Sequence, residues 1–193
     1  MSKVYVNAVE PEGATTTLTL GASGDTVALG AGALASGFGG GKILQVVSAI
    51  KTDTFSHNAT SWADITGLSV SITPSATSSK IYVTSSIAMG QKGHTSYQWV
   101  QLVRDSTAIF IGDAAGSRHR VSVSAANGNS WSEMSSGNIV HIDEPNTTSA
   151  TTYKLQLYCQ NTDTQYINRS FTDTDNTSHA RGASSIIVME IGV

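Results

Sequence analysis

The residues able to do chemistry in this chain are few and scattered. Five histidines, His57, His94, His119, His141 and His179, are the first candidates for a metal. None stands two or four residues from another, so neighbouring positions build no local zinc-type site. Asp173–Thr174–Asp175–Asn176 offers hard oxygen ligands suited to calcium, without the central glycine and terminal glutamate of an EF-hand loop. A solvated turn is the expected reading there, and neither a metal nor a cofactor is expected anywhere. Cys159 is the only cysteine, which excludes an intrachain disulfide. Its alternation with Leu157 and Leu155 marks a small apolar core group, not a thiolate nucleophile.

Catalytic constellations fare no better. There is no GxSxG elbow to activate a serine. Asp113, Glu133, Asp143 and Glu144 form the facing carboxylate pair of a glycoside hydrolase only through an arrangement that no spacing reveals. GFGGGK at Gly37–Lys42 lacks the GxxxxGK[ST] phosphate loop and precedes a strand instead of a helix. No catalytic residue is expected, and a glycan-degrading enzyme is the lesser alternative.

Aromatic side chains in polar stretches are better candidates for contact. Trp62 and Trp131 lie among Ser, Asn, Asp and Thr, where a rigid ring supplies contact area for a sugar or a protein. Three loops follow from this: Trp62–Asp64, Asn127–Trp131 with Asn129 between them, and Asp173–His179 with Asp175. The competing reading has Trp62 and Trp131 plugging the ends of a sandwich. Tyr97 and Trp99 share one face of a strand.

The elements that must position these residues are strands. Charged residues make up 13 % of the 193 positions, about half the usual share of roughly 25 %. Polarity comes from Ser and Thr, which compete with helical hydrogen bonding and suit strands and turns. The net charge is −3 and the eleven Lys and Arg are dispersed, so no nucleic-acid surface is expected. The first residues carry no leader pattern and no apolar run nears the ~20 residues of a span, so no membrane insertion is expected.

Residues 1–41 read as an arm. Val4, Val6 and Ala8 alternate with polar neighbours, Thr15–Leu20 and Val27–Leu29 are short strand patterns, and Ala31–Gly41 is glycine-rich. Glycine this dense gives either a flexible linker or close chain–chain approach. Isolated short strands bury no face alone, which points to an assembly arm completed by neighbouring subunits.

Residues 42–193 read as one all-β domain. Ile43–Ile50, Leu68–Thr73, Lys80–Ala88, Tyr97–Val103, Thr107–Gly112, His119–Ser124, Asn138–Ile142, Tyr153–Gln160, Gln165–Asn168 and Ser184–Ile191 are the expected strands. The intervals are too short for βα crossovers, so the sheets are antiparallel. Leu68, Val70 and Ile72 alternate with serines, as Leu155 and Leu157 do with Lys154 and Gln156, giving each strand one core face. Two packed sheets or a closed barrel result. The closing run Ile186–Ile191 is too apolar for a free tail and is expected centrally in a sheet or at a subunit interface.

Several segments together resemble tail-fibre-like, virion-surface structural proteins of tailed phages, especially marine and cyanobacterial ones. They are GKILQVVSAIKTDTFS (Gly41–Ser56), SWADITGLSVSITPSATSSKIYV (Ser61–Val83), LVRDSTAIFIGDAAGSR (Leu102–Arg118), IDEPNTTSATTYKLQLY (Ile142–Tyr158), YINRS (Tyr166–Ser170) and ARGASSIIVMEI (Ala180–Ile191). TLTLGASGDTVALGAG (Thr17–Gly32) is similar to short β segments that precede terminal modules in fibres.

The resemblance implies an antiparallel β-sandwich of jelly-roll-like form, a homotrimer, and display on the virion exterior after assembly in the host cytoplasm. It implies a short tail fibre or surface appendage that contributes to host attachment, with other virion structural proteins and a host-surface glycan or protein as partners. The alternative is a capsid or tail decoration or assembly protein without direct receptor binding. No catalytic set is implied.

Overall fold

The computed structural model describes residues 41–90, 97–124 and 132–192. The N-terminal arm up to residue 40 lies outside the described residues, as do His94, Asn127, Asn129 and Trp131. The strands are β1 (Lys42–Lys51), β2 (Phe55–His57), β3 (Ala63–Ile72), β4 (Lys80–Gly90), β5 (Gln98–Arg104), β6 (Thr107–Ile109), β7 (Val123–Ser124), β8 (Met134–Asp143), β9 (Thr151–Cys159), β10 (Gln165–Ile167) and β11 (Ser184–Gly192). All the pairings between them are antiparallel.

These strands fall into eight lanes in two sheets. The first sheet runs β1, β11, β4, β8. In it β2 continues the lane of β1 and β10 continues that of β11, because Ser185 pairs with Ile50 and Ser86 while Ile167 pairs with Phe55 and Met89. The second sheet runs β3, β9, β5 and then a last lane shared by β6 and β7. Numbered along the chain, the lanes stand in the orders 1-8-3-6 and 2-7-4-5. A long hairpin rolled up gives this order, pairing 1 with 8, 2 with 7, 3 with 6 and 4 with 5, and it is the jelly roll. The closing apolar strand β11 is accordingly central, between β1 and β4.

The core lies between the sheets. β3 contributes Ile65, Leu68, Val70 and Ile72, β4 contributes Ile81, Val83, Ile87 and Met89, and β9 contributes Tyr153, Leu155 and Leu157. Val100 and Leu102 of β5, Ile139 of β8 and Ile186 and Val188 of β11 complete it. Cys159 is buried and free, and its Sγ donates to the His57 carbonyl at 3.1 Å. Burial pushes its thiol up to about 11, the behaviour of a packed core group.

The structure departs from the sequence reading at strand ends. The strand expected from Leu68 starts instead at Ala63 and is bulged. Between the pairs Asp64–Gln156 and Ser69–Lys154, β3 advances five residues while β9 advances two, so three extra residues are absorbed, Gly67 among them at φ 88°. The strand expected over Thr107–Gly112 stops at Ile109, because Phe110 enters the left-handed region at φ 51°. His119–Ser124 shrinks to Val123–Ser124, and β8 reaches back to Met134 through serines.

Three polar contacts tie the sandwich internally. The first is Asn168, fully buried at φ 65°, at the splice where β10 hands its lane to β11. Its Nδ2 donates to the carbonyls of Lys51 and Asp53 at 2.8 and 2.9 Å, and its Oδ1 accepts from the Ser184 hydroxyl at 2.6 Å. Its backbone N–H donates to Ala88 and its carbonyl accepts from Gly182. The chain packs so closely here that a Cβ on Gly90 would run into the Arg169 carbonyl.

The second is Glu190, buried on the core face of β11. Its carboxylate accepts from Gln45 Nε2, Ser75 N, Ser75 Oγ and Ser79 Oγ, each at 2.6 Å. The third joins the two sheets: Asp143 of β8 accepts from Arg104 of β5 at 2.8 Å and from the Tyr153 hydroxyl of β9 at 2.6 Å. Burial, with the adjacent Asp143 carboxylate, pushes the Tyr153 phenol far above its ordinary range.

Asn168→Asp removes both donors and sets a carboxylate against two buried carbonyls. It should cost about 3 kcal/mol or more in urea unfolding at pH 7; a loss near zero would show that the splice does not depend on this side chain. Burial raises the pKa of Glu190, but its four donors outweigh that and hold it at about 2, against an ordinary 4.5. A carboxyl depressed in the folded state contributes stability that is complete above the unfolded value and is lost as pH falls toward the folded one. Wild type should therefore lose on the order of 3 kcal/mol between pH 5 and 2 through this group. Glu190→Gln should flatten that part of the profile, measured by denaturant midpoints across the range.

Candidate functional site

The outer face of the second sheet gathers the aromatic residues. Trp99 of β5 pairs directly with Tyr158 of β9, and their rings lie 5.5 Å apart at 25°. Trp62 precedes β3, whose register sets Ala63 opposite Leu157, and its ring meets Tyr158 at 5.3 Å. Tyr97 stacks on Trp99 at 6.5 Å. His119, exposed, comes from the segment before β7 and lies 4.3 Å from Trp99 and 4.8 Å from Tyr158. Alternation forces this arrangement, since Leu157, Cys159, Gln98 and Val100 turn inward and send Tyr158 and Trp99 out.

A polar row runs beside the rings. Asp64 pairs across to Gln156, and Gln156 to Gln101. Gln101 Nε2 donates to Gln156 Oε1 at 2.7 Å, and Gln156 Nε2 donates to Asp64 Oδ1 at 2.7 Å. Lys154 Nζ donates to Asp64 Oδ2 at 2.8 Å. These donors, Lys154 first, hold the Asp64 carboxyl below its ordinary range. Asp64 is therefore a strand residue, while Trp62 is the last residue of the connection before β3, and both belong to a built surface spanning three lanes.

The loop Asp173–His179 is separate. Asp173, Thr174, Asp175, Asn176, His179 and Arg181 line an open hollow of about 390 Å³. Asp173 is committed to two guanidiniums, Arg181 at 2.6 Å and Arg169 at 3.2 Å, and the Arg169 guanidinium also lies over the Tyr166 ring. His179 Nδ1 contacts the Thr174 hydroxyl at 2.9 Å. One of the loop's two carboxylates, Asp173, is thus already neutralised, and among the described residues no group of three His, Cys, Asp or Glu side chains is placed to hold a metal. His57 bonds the Ser61 carbonyl and His141 stacks on Phe110.

A second surface, which the sequence reading did not single out, is the outer face of the first sheet. Val46, Met189, Tyr82 and Ile142 form one row across its four lanes, and Ser48, Ile187, Thr84 and Val140 form the next. Ile43, Val46, Ile50, Val140 and Ile142 on this face are 52–72 % exposed. The nearest charges are at the rim, where Lys80 and Glu144 pair at 2.9 Å. The signal was present in β1, where Val46 and Ile50 are apolar on the face opposite Val47 and Ala49.

No family model matches the chain, and no curated protein matches it. Among solved structures it is similar to a chain in the structure of infectious bursal disease virus Gt strain, at 12 % identity and a TM-score of 0.41, covering 88 % of this chain and 42 % of that one. A chain in the structure of the Gx strain of the same virus matches at 11 % identity and a TM-score of 0.40, covering 87 % of this chain and 45 % of that one. The chain spans less than half the length of either.

Proposed function

We propose that this chain is a structural subunit of a virus particle, packed through the outer face of its first sheet against copies of itself or other virion structural proteins. The carrying observation is that face, uncharged in its central rows, with five large aliphatic side chains more than half exposed. A free surface rarely keeps so continuous an apolar patch, whereas the centres of subunit interfaces are depleted of charge in this way. The jelly roll suits the role as a fold of shell and appendage subunits, although a fold alone assigns no function.

Decoration or assembly on a capsid or tail is the role this surface supports most directly. The resemblance to tailed-phage surface proteins supports the phage setting, a homotrimer, and display on the particle exterior after assembly in the host cytoplasm. Host attachment as a short tail fibre or appendage is the second reading, and the aromatic row favours it. No helix among the described residues is long and apolar enough to cross a membrane. Two of the four candidate carboxylates for a glycan-degrading activity are already committed, Asp143 to Arg104 and Tyr153, and Glu144 to Lys80.

Light scattering of the full chain should find an oligomer at micromolar concentration. Val46→Asp and Val140→Asp, at opposite edges of the face, should each weaken it about tenfold or more while far-ultraviolet circular dichroism is unchanged. A wild-type chain that stays monomeric at about 100 μM, and is missing from purified particles by mass spectrometry, would overturn the proposal.

A further inference from the structure

We infer that the aromatic row of the second sheet, Trp62, Tyr158, Trp99, Tyr97 and His119 with Asp64 and Gln156 beside it, is a binding face for a neutral glycan chain. This goes beyond the packing role, which uses the opposite sheet. A pyranose offers a flat apolar face of C–H groups and a rim of hydroxyls. Binding one asks for a ring to stack on and for fixed acceptors and donors alongside.

The row supplies both in one register. Its rings are spaced 5.3 and 5.5 Å across adjacent lanes, comparable with the width of one sugar ring; His119 lies against Trp99 and Tyr158, so the rings offered to a sugar are Trp62, tilted 54° to Tyr158, together with His119 and Tyr97. Tyr97 is 45 % exposed, and His119 is the exposed ring on the Trp99–Tyr158 pair. Asp64 is 54 % exposed in its side chain, and each of its oxygens takes one internal donor. A carboxylate has about four lone-pair positions, so roughly half remain for hydroxyls.

The relay from Gln101 through Gln156 to Asp64 runs in one direction. Asp64 can only accept, so Gln156 must turn its NH₂ toward Asp64 and its oxygen toward Gln101. The acceptor is therefore held before any ligand arrives, which lowers the ordering cost of binding. Lys154 balances the Asp64 charge, so the row has no net charge to prefer an ionic sugar. A peptide occupant is less suited: β9 and β5 have both edges paired, and the row crosses their faces, leaving no backbone ladder to extend.

The test titrates the full chain with cellohexaose, chitohexaose, maltohexaose and α-1,6-linked mannohexaose, following tryptophan fluorescence. At least one sugar should give a saturable change. Trp62→Ala and Tyr97→Ser should each weaken that binding about tenfold, and Asp64→Asn several-fold, with thermal midpoints within a few degrees of wild type. Tyr97→Ser, at an exposed position, decides the matter where Trp62→Ala impairs folding. Val46→Asp, on the packing face, should leave sugar binding unchanged, so failure of the assembly reading and failure of this one are distinguishable. No saturable change with any of the four sugars, or binding indifferent to all three row variants, would overturn the inference. Row-dependent attachment to host cells that survives periodate oxidation of their glycans would overturn it in favour of a protein partner.

Discussion

The whole roll depends on one buried amide. A jelly roll needs its last lane in the middle of the first sheet, and here that lane is made of two pieces, β10 and β11, separated in sequence by the loop from 168 to 183. Asn168 lies at the break and meets every strand around it: the carbonyls between β1 and β2, the Ala88 carbonyl of β4 and the hydroxyl that opens β11. The Lys51 carbonyl, whose bond to Asn168 is buried, would otherwise lose a partner away from water, a loss of about 1–3 kcal/mol. Asn also tolerates the left-handed backbone that the turn into the loop demands. One residue thus closes the first sheet where its ladder is interrupted on two adjacent lanes.

The remaining internal polar groups follow the same rule of complete satisfaction. Glu190 keeps a charge on the core face without a cation because four donors converge on it, and three of them come from Ser75 and Ser79 in the connection from β3 to β4. That connection passes from the second sheet back to the first, so the carboxylate fixes a crossover as well as a strand. Arg104, Asp143 and Tyr153 do the equivalent between β5, β8 and β9. Broken on one side, either group would leave an uncompensated charge, which is more damaging than replacing the group by a hydrocarbon.

Much of this was legible in the residues and some could not be. Alternation located Leu68–Ile72, Leu155–Leu157 and Ile186–Ile191, and the apolar closing run pointed to the central lane of β11, because the side-chain period of a strand is local. The three-residue β2 was missed, since a strand that short is decided by its partner β10 and not by its own sequence. Glu190 stands in phase with Ile186 and Val188, a carboxylate on a core face, and that anomaly was readable; its donors, 111 and more residues away along the chain for Ser79 and Ser75, were not. Trp62 and Asp64 stood out as contact candidates, and Tyr97 and Trp99 as face-mates. Their union with Tyr158 required the register of β3, β9 and β5, and nothing around His119 announced it.

The two outer faces differ in kind, and the sandwich makes that difference directional. The first sheet turns outward a surface whose two central rows hold no charge and are mostly aliphatic, interrupted only by the hydroxyls of Tyr82, Ser48 and Thr84, and such a surface gains by leaving water. The second turns outward rings bordered by amides and a carboxylate that hold one another in place, a surface that stays ordered while wet. Because the faces lie on opposite sides of one core, packing the first sheet into an assembly leaves the second pointing away from it. A weak contact on that outward face, repeated once per subunit, adds through avidity without any single deep pocket. In the assembly proposed above, a shallow surface row repeated once per subunit would suffice for attachment, and the roll that Asn168 closes is what keeps the two faces apart.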